Sequence, residues 1–303
     1  MKMERKLAVL SMIMVMVLTM VAGCSKQPSK ENKETPGTNE SSTQQESKDT
    51  AEEVKTDGES EKATPETESN TDKEEVTILI AAAASMEKSL EELIPQFQEK
   101  YPWITVEGTY DSSGKLQTQI EEGLEADIFL SAAMKQMNAL KDGNMIDADS
   151  IVELLENKVV LIVPAGVESK VTGFEDILNA STIAIGDPES VPAGQYAKKV
   201  FDSLGIYGKV AEKASLGTNV TEVLNWVAEG SADAGVVYAT DAATSDKVTI
   251  ISEAPEGSLD EKVIYPIGIV TASQKKEAAD LFVEYLQSEE ATNLFVSYGF
   301  SVE

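Results

Sequence analysis

The chain has 303 residues, one cysteine and no histidine, and its 53 acidic side chains against 25 basic ones give a net charge of −28 at pH 7. Such an acidic chain has no basic stripe to neutralise phosphates, which argues against a nucleic-acid partner. Without histidine, the usual general base and the commonest metal ligand are missing, and one cysteine is too few for a zinc site or an internal disulfide. We therefore expect a protein that is not an enzyme and that has no resident metal or cofactor.

The first residues have the pattern of a secretory signal. Three basic residues within the first six precede an apolar stretch from Leu7 to Val21, which is short for a membrane span, and the sequence VAGC follows at 21–24. Cys24 after two small residues resembles the lipobox of bacterial lipoproteins, where cleavage leaves the cysteine as the lipidated N-terminus. We expect a signal peptide at 1–23 and a lipid anchor on Cys24 at the extracellular face of the bacterial cell membrane. An ordinary signal peptide with an accidental cysteine would show the same pattern.

The segment that follows Cys24 differs in composition from the rest of the chain. From Ser25 to Glu75 it consists mainly of Ser, Thr, Glu, Lys, Asn, Gln, Pro and Gly and contains no aromatic residue. Such a segment buries too little apolar surface to offset the entropy lost on ordering. We therefore predict a disordered tether that, with the cysteine, occupies 24–75.

From Val76 onward, apolar runs alternate with stretches that have helical periodicity, which is typical of α/β proteins with parallel sheets covered by helices. In the first half we predict strands at 76–82, 105–110 and 126–132 and helices at 86–100, 113–123, 134–142 and 150–156. In the second half we predict strands at 158–164, 182–185, 210–214, 234–238 and 263–271 and helices at 192–204, 219–230, 274–287 and 288–298.

The two apolar strands at 158–164 and 263–271 join two α/β blocks, which indicates two lobes connected by two crossovers. We assign 76–158 plus 264–303 to lobe 1 and 159–263 to lobe 2. Ligands of open α/β sheets bind at the carboxyl ends of the strands, so we expect the site in the cleft between the lobes.

Small-residue turns follow several of the predicted strands and precede helices. They are AAAASM at 81–86, YDSSGK at 110–115, VPAGQY at 191–196 and LGTNVT at 216–221, and the strand end GVVYAT at 235–240 is a fifth contributor. A helix start presents unpaired backbone N–H groups and the positive end of the peptide dipoles. Several such turns at one point would hold a small anion without any charged side chain.

Each candidate residue in these turns also has a purely structural interpretation. Ser85 is a candidate donor, but a serine at this position is also a common helix N-cap. Of Ser112 and Ser113, one suffices as a cap, which leaves the other hydroxyl for a ligand. Tyr238 ends a strand and could donate one hydrogen bond or pack at a domain interface.

Two further turns offer backbone donors. In VPAG, Pro192 occupies the first helical position and leaves the N–H groups of Ala193 and Gly194 unpaired. In the next turn, Asn219 and Glu222 have the spacing of a capping box, which is a complete structural explanation for both, while the N–H of Val220 remains available.

The chain from Val76 to Glu303 resembles the molybdate-binding proteins of ABC transporters, in their lipoprotein form. The resemblance rests on AAAAS (81–85), the serine pair at 112–113, ADIFLSA (126–132), AIGDPESVPAGQYAKK (184–199), GVVYATDA (235–242), YPIGIV (265–270) and YGF (298–300). It implies a type II periplasmic-binding-protein fold in which two lobes close on molybdate or tungstate. It also implies a permease as partner, and we expect a monomer.

The resemblance places the ligand contacts on five residues. They are the hydroxyl and N–H groups of Ser85 and Ser113, the backbone N–H groups of Ala193 and Val220, and the hydroxyl of Tyr238.

Asp111 departs from this pattern, because a carboxylate beside the serine pair would repel a dianion if it pointed inward. We therefore predict that it points outward. It also keeps phosphate as a second candidate ligand, since a protonated phosphate needs an acceptor. The residues are compatible as well with a sulfate-binding protein, with an enzyme that pairs Ser85 with Lys88, and with an adhesin that has lost the site.

Overall fold

The structure is a computed structural model that describes residues 73–302. The predicted signal peptide, the predicted lipidation site at Cys24 and all but the last residues of the predicted tether lie outside the described residues. Within 73–302, no helix is long and apolar enough to cross a membrane.

The described chain contains ten strands. They are β1 (Val76–Ala83), β2 (Ile104–Asp111), β3 (Ile128–Leu130), β4 (Val152–Asn157), β5 (Val159–Pro164), β6 (Ile183–Gly186), β7 (Ala214–Gly217), β8 (Ala234–Tyr238), β9 (Val248–Glu253) and β10 (Val263–Ile269). They form two five-stranded sheets, one in the order β2-β1-β3-β10-β4 and the other in the order β7-β6-β8-β5-β9.

Nine α-helices of the described chain accompany these sheets. They are α1 (Glu87–Lys100), α2 (Ser113–Glu121), α3 (Met134–Asp142), α4 (Pro192–Ser203), α5 (Tyr207–Ala211), α6 (Val220–Ala228), α7 (Ala239–Ala243), α8 (Lys276–Leu286) and α9 (Glu289–Ser297). Short 3₁₀ turns lie at Ala84–Met86, Ala148–Ser150 and Phe174–Asn179. The prediction of an α/β fold with two lobes is confirmed.

Both sheets are mixed, because strands that enter from the other lobe run against their neighbours. In the first sheet β1 is parallel to β2 and β3, whereas β10 is antiparallel to β3 and β4. In the second sheet β6 is parallel to β7 and β8, whereas β5 is antiparallel to β8 and β9. The parallel part of each sheet therefore supplies the aligned carboxyl ends that a ligand site requires.

The chain passes between the sheets twice. It leaves the first sheet where β4 ends at Asn157 and enters the second where β5 begins at Val159. It returns between Glu253, the end of β9, and Val263, which pairs with Asn157 in the first sheet. The exact limits of the lobes remain a prediction.

The helices use the apolar periodicity that predicts them. In α1, Leu90, Leu93 and Phe97 are spaced by three and four residues and have no exposed surface. β1 is buried on both faces over its second half, which explains its continuous apolar run VTILIAAA.

Two predicted elements are wrong. The helix predicted at 150–156 is the strand β4, whose sequence VELLEN buries Leu154 and Leu155 against β10. The strand predicted at 210–214 is shifted, because Tyr207–Ala211 forms a short helix and the strand is Ala214–Gly217. At β4, pairing with a distant strand overrides local propensity.

Candidate functional site

In lobe 1, two turns lie side by side at the carboxyl edge of the sheet. β1 and β2 pair in parallel up to Ala83 and Asp111. Ser85 and Ser113 each follow two residues beyond that last pair, Ser85 in the 3₁₀ turn and Ser113 as the first residue of α2. Because the carboxyl ends of neighbouring parallel strands meet at one edge, the two serines are brought together.

Lobe 2 repeats this arrangement with two helix starts. β6 and β7 pair in parallel up to Gly186 and Gly217, and the N–H of Asp187 donates to the Gly217 carbonyl at 2.9 Å. The loops that follow lead to Ala193 in the first turn of α4 and to Val220 at the start of α6.

The donors of these helix starts are backbone N–H groups. In α4, the N–H of Gln195 donates to the Val191 carbonyl at 3.0 Å. The N–H of Ala193 therefore precedes the first N–H group that is hydrogen-bonded within the helix. In α6, Asn219 caps the helix through a 2.9 Å bond from the N–H of Glu222. The N–H of Val220 precedes the N–H groups that the cap and the helix use. The predicted capping box is modified, because the Glu222 carboxylate accepts from Thr218 rather than from Asn219.

Polar contacts join the two lobes at this edge. The N–H of Gly114 in α2 donates to the carbonyl of Ser190, just before α4, at 2.9 Å. The Gln136 amide donates to the Gln195 amide oxygen at 3.2 Å. The lobes are therefore in contact across the cleft, which is the closed arrangement of such a fold.

Ala132 connects predicted site residues of both lobes. Its N–H donates to Ser113 Oγ at 2.9 Å, and its carbonyl accepts from the Tyr238 hydroxyl at 3.3 Å. The second distance is long for an O–H···O bond. Burial, and then the proximity of Tyr265, raises the pKa of Tyr238 well above its ordinary value, so this phenol remains a neutral donor.

Ser85 reaches the same region through a second tyrosine. Its hydroxyl lies 3.0 Å from the Tyr265 hydroxyl, and the rings of Tyr265 and Tyr238 lie 5.5 Å apart at their centroids. The turn that contains Ser85 also packs against α6, the helix that begins at Val220. Ser85 is not a helix N-cap, because α1 begins at Glu87 with Met86 as its cap.

The structure thus brings together all five predicted contact residues at one interlobe edge. Contacts connect Ser85, Ser113 and Tyr238, and the helix starts that carry Ala193 and Val220 lie against the same turns. Four of the five are almost fully buried, and Ser85 is half-buried. Binding of a ligand by these residues remains a prediction.

Asp111 is directed at a cation. Its carboxylate accepts from Lys115 Nζ at 3.1 Å and from the N–H of Ser112 at 2.7 Å, and about a quarter of its side chain is exposed. Its charge is therefore paired on the solvent side of α2, in agreement with the prediction that it points outward.

Ser112 is the unexpected member of the site. Its side chain makes no capping bond, and its Oγ is buried without a hydrogen-bond partner among the described residues. One donor that an N-cap normally serves, the N–H of Gly114, is used by Ser190 instead. The serine pair marked this position in the sequence, but nothing there showed which hydroxyl would be left without a partner.

Asp241 is a second feature that sequence reasoning missed. It is buried at the start of α7, its Oδ2 has no partner within the described chain, and burial raises its pKa to about 7. Elsewhere in 73–302, no group of three or more Cys, His, Asp or Glu side chains could hold a metal ion.

The comparison with known proteins agrees with this geometry. The sequence model for bacterial extracellular solute-binding proteins matches residues 78–301. The ABC transporter substrate-binding lipoprotein YvgL of Bacillus subtilis is 43% identical over 236 residues, which cover 78% of this chain and 90% of that protein. The molybdate-binding protein ModA of Escherichia coli is 33% identical over 241 residues, covering 77% and 92%.

A solved structure supports the same assignment of fold. The substrate-binding domain of a molybdenum ABC transporter from Clostridium difficile is 34% identical, with a TM-score of 0.59, and the match covers 75% of this chain and 99% of that domain.

The two serines of α2 should respond in opposite ways to truncation. Ser113→Ala leaves the buried N–H of Ala132 without its acceptor, which should lower the free energy of unfolding by about 1 to 3 kcal/mol. Ser112→Ala removes a hydroxyl that has no partner, so it should leave that free energy unchanged or raise it. Urea unfolding of protein freed of oxyanions measures both, and equal losses in the two variants would contradict the assignment.

Asp241 should make stability depend on pH. The folded protein retains the proton up to about pH 7, whereas the unfolded chain loses it near 3.8, so the folded state binds more protons in between. Stability therefore falls as pH rises through this window and levels off above it. The Asp241→Asn variant stays neutral at this position. Its free energy of unfolding should therefore rise relative to that of the parent protein by up to about 1.4 kcal/mol per pH unit from pH 5 to 7.

Thermal unfolding at several pH values measures this gap, with the exposed Asp246→Asn as the matched control. A gap that does not change between pH 5 and pH 8 would show that Asp241 is ionised in the folded protein throughout.

Proposed function

Because this chain belongs to the bacterial extracellular solute-binding proteins, we propose that it captures molybdate, and also tungstate, in the interlobe cleft and delivers it to an ABC transporter permease. The observation that carries this proposal is the meeting of Ser113 and Tyr238 on Ala132, with one of the two side chains supplied by each lobe. Lobe closure thereby gathers uncharged donors around one point.

The chemistry of the donors suits a small dianion. Hydroxyl hydrogens come from Ser85 and Ser113, and from Tyr238 once it exchanges its long bond to the Ala132 carbonyl for the ligand. N–H groups come from the starts of two helices that are each nine residues or longer. Helix N-termini favour negative charge through their dipoles and their unpaired N–H groups. Five to seven such bonds, at about 1.5 to 3 kcal/mol each, give a gross gain of about 8 to 20 kcal/mol.

That gain exceeds the costs of binding. Association and ordering cost about 4 kcal/mol or more, so a gross gain of about 12 kcal/mol, near the middle of this range, leaves the roughly 8 kcal/mol that micromolar affinity requires. With a net charge of −28, the chain offers no long-range attraction to an anion, so capture depends on these local donors.

The partners follow from the same proposal. We infer that Cys24 carries a lipid anchor that holds the protein at the extracellular face of the cell membrane, that the protein is monomeric, and that the closed lobes dock on the permease. The lipoprotein name of the Bacillus subtilis relative supports the anchor. The protein acts as a transport receptor in this scheme, with no catalytic step.

Calorimetric titration with molybdate, tungstate, sulfate and phosphate tests the ligand. We expect molybdate and tungstate to bind at micromolar concentration or below and to raise the free energy of unfolding by about 2.7 kcal/mol at a hundredfold excess over Kd. A melting-temperature shift with phosphate or sulfate alone would mean that one of these anions, and not molybdate, is the ligand. No response to any of the four would favour an adhesin that has lost the site.

Gly114 tests whether closure is needed for binding. A Cβ at this position would lie 2.3 Å from the Ser190 carbonyl oxygen, so Gly114→Ala should prevent the lobes from meeting. We expect molybdate affinity to fall by about tenfold or more, the equivalent of at least one lost hydrogen bond. Without ligand, loss of the Gly114–Ser190 bond should lower the free energy of unfolding by no more than about 1.5 kcal/mol, and the higher helix propensity of alanine should offset part of that loss.

Gly208→Ala is the matched control, because a Cβ there meets nothing within 4 Å. Unchanged affinity in Gly114→Ala would mean that the ligand binds without the Gly114–Ser190 contact.

A further inference from the structure

Ser112 has the backbone of a helix N-cap without the side-chain bond that defines one. Its φ of −63° and ψ of 142° are extended, and its carbonyl accepts from the N–H of Leu116 at 3.0 Å, as an N-cap carbonyl does. The residue is only 3% exposed, and its Oγ has no hydrogen-bond partner among the described residues. With the backbone already in place, rotation of the side chain about χ1 is enough to bring this oxygen to the first turn of α2.

The donor that this oxygen would serve is held by the other lobe. Gly114 is the second residue of α2, and an N-cap side chain commonly accepts from the N–H at that position. Here the N–H donates to the Ser190 carbonyl at 2.9 Å, across the contact between the lobes. Ser112 and Ser190 therefore compete for one hydrogen, and in the closed arrangement Ser190 has it.

The other polar contact between the lobes also leaves buried groups without partners. Gln136 of lobe 1 donates to the amide oxygen of Gln195 of lobe 2 at 3.2 Å. The remaining amide atoms, Gln136 Oε1 and Gln195 Nε2, are buried and have no partner within 73–302. Three of the five such side-chain atoms in this part of the chain thus lie where the lobes meet. The closed arrangement carries their desolvation cost, and opening removes it.

We propose that the N–H of Gly114 passes from Ser190 to Ser112 when the lobes part, so that Ser112 caps α2 only in the open arrangement. The N–H then exchanges one acceptor for another, and the buried Ser112 oxygen gains a partner that it lacks in the closed arrangement. Ser112 thereby favours opening and with it the release of ligand. The exchange itself needs no ligand, and only its effect on release rests on the proposed function.

The first test is made without ligand, by thermal unfolding of Ser112→Ala in two backgrounds. In the parent protein the substitution should leave the melting temperature unchanged or raise it, because the hydroxyl is not in use. Gly114→Ala keeps the lobes apart, so there Ser112→Ala removes a working cap and should lower the melting temperature by about 2 to 4 °C, the loss expected for one N-cap in a domain of this size. Equal shifts in the two backgrounds would overturn the inference.

Ser288→Ala is the matched control. Ser288 is the N-cap of α9, and its Oγ accepts from the N–H of Ala291 at 3.3 Å. Because α9 packs on α1 and α8 within lobe 1, this cap does not depend on lobe closure. Its loss should lower the melting temperature by the same amount in the parent protein and in Gly114→Ala.

The second test is the rate at which bound molybdate leaves the protein. Stopped-flow mixing of the loaded protein with an excess of catechol, which traps free molybdate as a coloured complex, measures that rate. Release should be about fivefold slower in Ser112→Ala than in the parent protein, because the open arrangement has lost its cap.

Faster release in Ser112→Ala would mean that the hydroxyl holds the ligand itself, and an unchanged rate would mean that it takes no part in opening. Either result would overturn the inference while the transport function stands. A parent protein that binds no molybdate overturns the proposed function instead, and the unfolding test then decides the inference alone.

Discussion

A dianion can leave water only if other dipoles replace its hydration shell, and the parallel strand pairs of this fold place such dipoles together. β1 and β2 end side by side in one lobe, and β6 and β7 end side by side in the other. Each pair continues into small-residue turns that carry N–H groups and hydroxyls, while the carboxylates beside them, Asp111 and Glu222, are bound to Lys115 and to the N–H of Thr218. The dipoles are therefore fixed by the sheets before any ligand arrives, so their reorganisation adds little to the cost of binding.

Closure of the lobes is as important as the position of the donors. The contact between Gly114 and Ser190 requires a residue without a side chain, because any Cβ would meet the carbonyl. The same contact takes a donor that Ser112 would otherwise serve, which explains why a buried hydroxyl has no partner. The closed state therefore leaves an unsatisfied polar group beside the five predicted contact residues, and a bound oxyanion is one group that could satisfy it.

The sequence predicted the helix starts at Pro192 and Val220 better than it predicted some of the strands. Pro192 and Asn219 mark helix starts through local chemistry, so the positions of Ala193 and Val220 could be read directly. β4 could not, because VELLEN consists of residues that also suit a helix and becomes a strand only through its pairing with β10. The burial of Asp241 depends likewise on neighbours that are distant in the sequence.

The direction of hydrogen bonds is even harder to predict from the sequence, and the specificity of a site without charged side chains depends on it. A serine hydroxyl can donate or accept, so the residue type of Ser85 does not say which anion it favours. The N–H of Lys158 fixes the amide oxygen of Asn157 at the crossover between lobes, so the NH₂ group of Asn157 donates to Thr240 and Tyr265. A backbone group outside the predicted contact residues thus fixes which end of the Asn157 amide faces Tyr265, whose hydroxyl lies 3.0 Å from Ser85 Oγ.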